Sequence, residues 1–393
     1  MTHNRNGWQG FSGQWSLSRR QVFQKAAGLA AFASLPAVVT ASSNRAAAQD
    51  AAQDDDWQAG AGADWKRVFE AAKKEGTLVL GGPGPSGDAL VQGFKRDTGI
   101  SIQWLGGSSN EQTARVQTEL RAGNVTVDVL LGGLPEMAFL NQLKPLDDQL
   151  LLPNVTDGKY WRGGKIKFCD DAKRRMLQAC EYVSGWPIIN TSVVKENDIT
   201  SWKDLLHPKY KGRIGSISPL VPGAARATGA FLVTRFGADF IADLFIKQEV
   251  AYTTDYNQLI EWVARKKYDI AFGGIPANLE RFRKEGFRDL VKPVLPKDAP
   301  GYVTGGFSVL KMPRDMPHPN AATVFLNWYL SKPGATAYSA AMLETSRRSD
   351  VSLGGDLDYL TPKEGISYYD TYTEEDYRQR PAQLKVLDGV LKR

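Results

Sequence analysis

Short apolar runs that close on glycine-rich turns and lead into amphipathic stretches recur along this chain. Residues 77–80 (Thr-Leu-Val-Leu) end in Gly81-Gly82-Pro83-Gly84-Pro85-Ser86-Gly87, and a stretch with Leu90 and Phe94 on one face comes next, stopping at Gly99. Residues 100–105 end in Gly106-Gly107-Ser108-Ser109, and residues 127–131 end in Gly132-Gly133. Ahead of them, Trp65, Val68, Phe69 and Ala72 form the apolar stripe of a helix that Gly76 terminates. Strand, glycine turn, helix, strand is the order of right-handed βαβ units that build a parallel sheet. The order restarts with a strand over 212–217, a helix over 224–236, strands over 250–254 and 267–272, and Gly273-Gly274. A long helical stretch is predicted over 320–342.

Two α/β halves also suit the length. Of the 393 residues, the first 48 carry five of the 49 basic side chains and none of the 43 acidic ones. The rest of the chain is longer than one hydrophobic core usually holds, so about two domains are expected. Without those 48 residues the net charge falls from +6 to +1, which excludes a nucleic-acid binder that needs a basic face.

Residues 1–48 read as an export signal. Ser18-Arg19-Arg20-Gln21-Val22-Phe23-Gln24-Lys25 precedes an alanine-rich run over 26–39, and Ala46-Ala47-Ala48 offers a small-residue cleavage site. The run is too short to span a bilayer. Arg19-Arg20 resembles the twin-arginine signal, although Val22 stands where that signal has Phe; an ordinary Sec signal is the alternative. Either route implies a periplasmic protein cleaved near Ala48. Residues 49–63 are small and polar and read as a flexible mature N-terminus.

The chain has three histidines, and His207 and His318 each precede a proline, which reads as surface loop rather than as a metal site or catalytic triad. No cofactor is implied. Its two cysteines, Cys169 and Cys180, are open to two readings: a disulfide in an oxidising compartment, or unpaired thiols on neighbouring strands.

Six segments in order resemble the extracellular solute-binding proteins of ABC importers, in the subgroup that includes ferric-iron binders. They are Lys74-Glu75-Gly76-Thr77-Leu78-Val79-Leu80; Phe94 with Thr98-Gly99-Ile100; Glu119-Leu120-Arg121-Ala122-Gly123 with Val127-Asp128-Val129; Trp202-Lys203-Asp204-Leu205-Leu206; Tyr210-Lys211-Gly212-Arg213-Ile214; and His318-Pro319-Asn320-Ala321-Ala322 with Phe325-Leu326. The resemblance implies an α/β fold of the type II periplasmic-binding-protein kind, two α/β lobes with a hinge and an interlobe ligand cleft. It places lobe 1 at 64–182, lobe 2 at 183–306, a return to lobe 1 at 307–350, and a C-terminal tail at 351–393 packed on lobe 2. The crossovers fall near 182–189 and 300–307. It further implies a monomer that binds a small-molecule ligand and hands it to an ABC permease in the inner membrane, without nucleic acid and without catalysis.

In open parallel sheets ligands sit outside the carboxyl ends of the strands, where glycines admit close approach and helix N-termini favour anions. Ser86, Ser108 and Ser109 stand in such turns, as ligand contacts or as helix caps. Arg226 and Arg348 are candidates for pairing with a carboxylate or phosphate, and Trp186 and Tyr256 for stacking on an organic ligand, with core packing the alternative for Trp186. Iron-binding relatives carry an adjacent tyrosine pair after the strand matching 270–274, but Gly274-Ile275-Pro276-Ala277-Asn278 holds no tyrosine. The only adjacent pair, Tyr368-Tyr369, lies in the tail and reads as packing. The expected ligand is therefore a small organic anion; the alternatives are a ferric-iron receptor with other ligands and an exported enzyme on the same scaffold.

Overall fold

The computed structural model describes residues 56–83, 87–134 and 137–392. The export signal and Ser86 lie outside the described residues.

The chain opens with α1 (Ala63–Glu75), β1 (Thr77–Gly82), α2 (Asp88–Thr98), β2 (Ser101–Gly106), α3 (Ser109–Ala122) and β3 (Val129–Gly132). Strand β1 lies parallel between its neighbours, with Leu80 opposite Trp104 on β2 and Val129 on β3. Two short strands come next, β4 (Lys167–Phe168) and β5 (Leu177–Gln178), and then β6 (Tyr182–Ser184). The chain continues through β7 (Ile188–Asn190), β8 (Ile214–Ile217), α4 (Ala224–Ile241), β9 (Ala251–Thr253), α5 (Tyr256–Ala264), β10 (Ile270–Phe272), α6 (Pro276–Phe282) and β11 (Val291–Pro293). It returns through β12 (Tyr302–Thr304), β13 (Val309–Lys311), α7 (Pro319–Leu330) and α8 (Lys332–Met342), and ends with β14 (Tyr369–Asp370) and α9 (Glu374–Leu391).

Three sheets result. The first lobe holds six strands in the order β2-β1-β3-β13-β5-β4, the second five in the order β11-β7-β10-β8-β9, and a three-stranded sheet β14-β12-β6 joins them. Each lobe keeps its own core. In the first, Phe94 of α2 meets Phe325 and Trp328 of α7 edge-on, with ring centroids 5.3 Å apart in both pairs. Burying each such ring stabilises the lobe by roughly 2–3 kcal/mol. Docking of α7 is fixed by polar contacts as well. Buried Asp128 accepts from the amides of Val79 and His318, at 2.7 and 2.6 Å, and Glu75 accepts from the amide of Ala321 at 2.7 Å. His318 is therefore tied to Asp128, with Nδ1 2.9 Å from the carboxylate, rather than standing in a free surface loop.

Three sequence expectations change. The stretch predicted as one helix over 320–342 is two, broken at extended Ser331, because Pro333 has no amide with which to continue α7. Within 49–63, Trp57 packs on Trp65 with centroids 5.5 Å apart, so this end of the supposedly flexible stretch belongs to the core. Cys169 and Cys180 are free, and the bridge does not form. The Cys169 amide bonds to the Met176 carbonyl, placing 169 across from 176. Cys180 lies four residues further along, roughly 13 Å away at the rise of a strand, beyond the span of a disulfide.

The joining sheet is held by a close crossing. Gly301 has φ +117°, and a Cβ there would stand 2.4 Å from the Ser184 carbonyl oxygen. Gly301→Ala is expected to lower stability by about 2 kcal/mol or more, measured by urea denaturation. Without reductant, the unfolded chain should titrate two thiols with a chromogenic disulfide reagent; finding none would restore the bridge.

Candidate functional site

A cavity of about 490 Å³ lies between the lobes. Gly133, Phe307 and Glu344 line it from the first lobe, Ala224, Tyr256 and Ala277 from the second, and Tyr182 and Tyr302 from the joining strands. The C-terminal segment adds Tyr369, Tyr372, Asp376 and Arg380. The loops that reach it succeed β3, β8, β9, β10 and β12, so the carboxyl ends of strands in all three sheets converge on one space.

The lining mixes aromatic rings with small and aliphatic side chains, and its polar groups are held at fixed points. The N-terminus of α4 opens on the cavity through Gly223 and Ala224, and the Ala224 amide donates to the Tyr256 hydroxyl at 3.3 Å. On the floor, Gly306 has φ +53°, and a Cβ there would stand 2.0 Å from Glu344 Oε1. Only glycine lets the carboxyl sit against this turn. Glu344 accepts from the Phe307 amide at 2.9 Å and from the Tyr338 hydroxyl at 3.3 Å. It is 4% exposed and faces no cation among the described residues, and burial pushes its carboxyl up to about 8. Below the floor, Lys311, 2% exposed, donates to the Gly133 carbonyl at 2.6 Å, and burial brings its ammonium down to about 7. The phenols of Tyr182, Tyr302, Tyr369 and Tyr372 are all pushed up, chiefly by burial.

Of the residues singled out in the sequence, Tyr256 lines the cavity. Ser109 stands one layer behind it, its Oγ accepting from the Gly133 amide at 3.0 Å. Ser108 caps α3, accepting from the Glu111 amide at 3.3 Å while Glu111 accepts from the Ser108 amide at 2.8 Å. Trp186 is 1% exposed and packs edge-on against Tyr359, away from the cavity. Arg226 grips Asp388 of α9 at 2.8 and 3.1 Å, and this holds the Asp388 carboxyl down at about 2. Arg348 is 2% exposed; it pairs with Asp350 at 2.9 and 2.8 Å, bonds to the Asn154 and Leu330 carbonyls, and lies over the Tyr160 ring. Both arginines are thus spent on internal partners, a fate their positions in the sequence do not reveal.

The residues sequence reasoning missed are Glu344, Tyr182, Tyr302, Arg380 and Tyr369. The tail did carry one signal. Alternation along a strand sends Tyr368 and Tyr369 to opposite faces, and Tyr368 joins the core around Trp186 while Tyr369 joins Phe231 and lines the cavity.

Glu344 makes stability pH-dependent. Its folded value of about 8 exceeds the ordinary 4.5, so between the two the native chain keeps a proton that the unfolded chain has lost. Stability then falls as pH rises through that window, by up to ~1.4 kcal/mol per pH unit. Lys311 acts oppositely from about 7 upward, where the native chain has lost a proton that the unfolded chain keeps until 10.5. In Glu344→Gln the melting temperature should decline less from about pH 5 to 7 than in the wild type. Equal slopes would show that Glu344 is not the source.

Residues 79–336 match the profile of the bacterial extracellular solute-binding protein family. No curated protein matches the chain. Iron-bound HitA from Pseudomonas aeruginosa is 19% identical, with a TM-score of 0.58 over 80% of this chain and 99% of that one. AfuA from Actinobacillus pleuropneumoniae, solved with fructose-6-phosphate, is 18% identical, with a TM-score of 0.57 over 81% and 99%. The ferric binding protein from Campylobacter jejuni is 14% identical, with a TM-score of 0.61 over 80% and 99%. These likenesses establish a shared two-lobed type II fold, and the profile match, which spans well over half of the sequence, establishes the family: this chain is a member of the bacterial extracellular solute-binding proteins.

Proposed function

We propose that the protein captures a small organic anion in the interlobe cavity, closes its lobes around it, and delivers it unaltered to an ABC permease in the inner membrane. It works in the periplasm as a monomer, exported by the signal in residues 1–48 and cleaved near Ala48. The observation that carries this reading is that one cavity draws its walls from both lobes and from the strands that join them. A ligand held there contacts both halves at once, and such contacts favour the closed arrangement by population shift. The α4 N-terminus supplies amides and a positive dipole end for the acidic group, worth up to about 2 kcal/mol when partly buried. Tyr256 and Phe307, on opposite lobes, offer faces for an organic body.

Ferric iron fits less well. It calls for phenolates or carboxylates free to coordinate, whereas burial pushes up the phenols of Tyr182, Tyr302, Tyr369 and Tyr372, and two of these are already engaged, Tyr369 with Asp376 and Tyr372 with the Gly306 carbonyl. Catalysis is not part of the reading, since the family is one of binding proteins.

The test is a thermal-shift screen of organic acids, phosphonates, polyamines and iron chelates, and then small-angle scattering with any hit. A ligand at 100 times its Kd adds about 2.7 kcal/mol of stability. The radius of gyration should fall at saturation. A bound ligand that leaves the radius unchanged would refute closure, and a response confined to ferric chelates would favour iron.

A further inference from the structure

The C-terminal segment is more than a clasp on the second lobe. Strand β14 adds to the joining sheet, parallel to β12, with Tyr302 opposite Tyr369. Helix α9 then begins beside the cavity: Tyr369, Tyr372, Asp376 and Arg380 all line it. Arg380 is built in by a specific set of contacts. Its Nε donates to Asp376 at 3.1 Å, and its Nη2 donates to the Thr371 carbonyl at 2.7 Å and also to Asp376. Asp376 is itself buried and also accepts from the Tyr369 hydroxyl. A guanidinium has five N–H donors in a rigid fork. These contacts immobilise the Nε and Nη2 edge and leave the two hydrogens of Nη1 without an acceptor among the described residues. The Arg380 side chain is 33% exposed, so these donors have not been buried out of reach.

The surroundings suit an anion. The N-terminus of α4 lines the same cavity. The other acidic group in the lining, Glu344, is held mostly protonated at neutral pH by its burial and so adds little repulsion.

We infer that Arg380 is the charged anchor of the ligand site, receiving through Nη1 the carboxylate or phosphonate head of a solute whose body lies along the cavity tyrosines. This rests on the reading of the cavity as the solute site and adds the residue and the head group. It also moves the anion contact from the sequence candidates Arg226 and Arg348 to the C-terminal helix.

The probes are benzoate and phenylphosphonate, with uncharged benzamide as control, tested by thermal shift and titration calorimetry on the full mature chain. The proteins are wild type, Arg380→Gln and Arg378→Gln. Arg378 is a near neighbour on α9 and pairs with Asp171 and Glu374 outside the cavity, so its variant makes the same charge change away from the site. The wild type and Arg378→Gln should respond to at least one of the anions and not to benzamide, and Arg380→Gln should bind that anion at least tenfold more weakly. If Arg380→Gln folds poorly because Asp376 loses its partner, the Asp376→Asn/Arg380→Gln double variant removes both charges and should show the same loss. Unchanged anion binding in the folded variants overturns the inference, as does a wild type that answers neither anion or answers benzamide equally. Scattering on Arg380→Gln with a probe it still binds separates the two levels: compaction there leaves solute capture standing while removing Arg380 from it.

Discussion

Two lobes can share a ligand only if the strands between them cross at a fixed place, and here that place is the pairing of β6 with β12. Val183 lies opposite Val303 and Tyr302 opposite Ser184, while Gly301 lets the returning strand pass close over the Ser184 carbonyl. The same few residues serve two ends. Their backbones join the sheets, and the side chains of Tyr182, Ser184, Tyr302 and Thr304 form the back wall of the cavity. Bending at the junction and filling of the cavity are therefore mechanically linked, because both act on one short sheet.

Burial then sets the chemistry of the space. Glu344 on the floor, Lys311 under it and the phenols of Tyr182, Tyr302, Tyr369 and Tyr372 have their ionisation displaced toward the neutral form, chiefly by burial. The charged groups left in the lining are those of the Arg380–Asp376 ion pair, in the same cavity as the α4 N-terminus.

The C-terminal segment ties the halves together. The Glu374 amide bonds to the Cys169 carbonyl, and Arg378 pairs with Asp171, both in the first lobe. Further along α9, Leu387 packs into the core of the second lobe, and Asp388 is held by Arg226 of α4. One helix thus touches both lobes and lines the space between them, so any motion of the lobes must be accommodated along it.

The alternation of apolar runs, glycine turns and amphipathic stretches was enough to indicate parallel α/β architecture, because strand and helix periodicity and turn chemistry are local properties. So were the helix ends at Gly76 and Gly99, whereas Ser108, open in the sequence to capping or ligand contact, proves to be a cap. The place of Tyr256 beside the cavity was legible too, since it comes just after a predicted strand. What local pattern does not encode is which partner each polar side chain meets. Arg226 and Arg380 look alike along the chain, yet one is consumed by Asp388 and the other keeps two donors open, and the difference lies in contacts between residues far apart in sequence. Cys169 and Cys180 look close enough to bridge, yet strand register holds them apart. Tyr369 belongs to a tail whose place beside β12 comes from sheet pairing across 67 residues, and only that pairing carries it into the site.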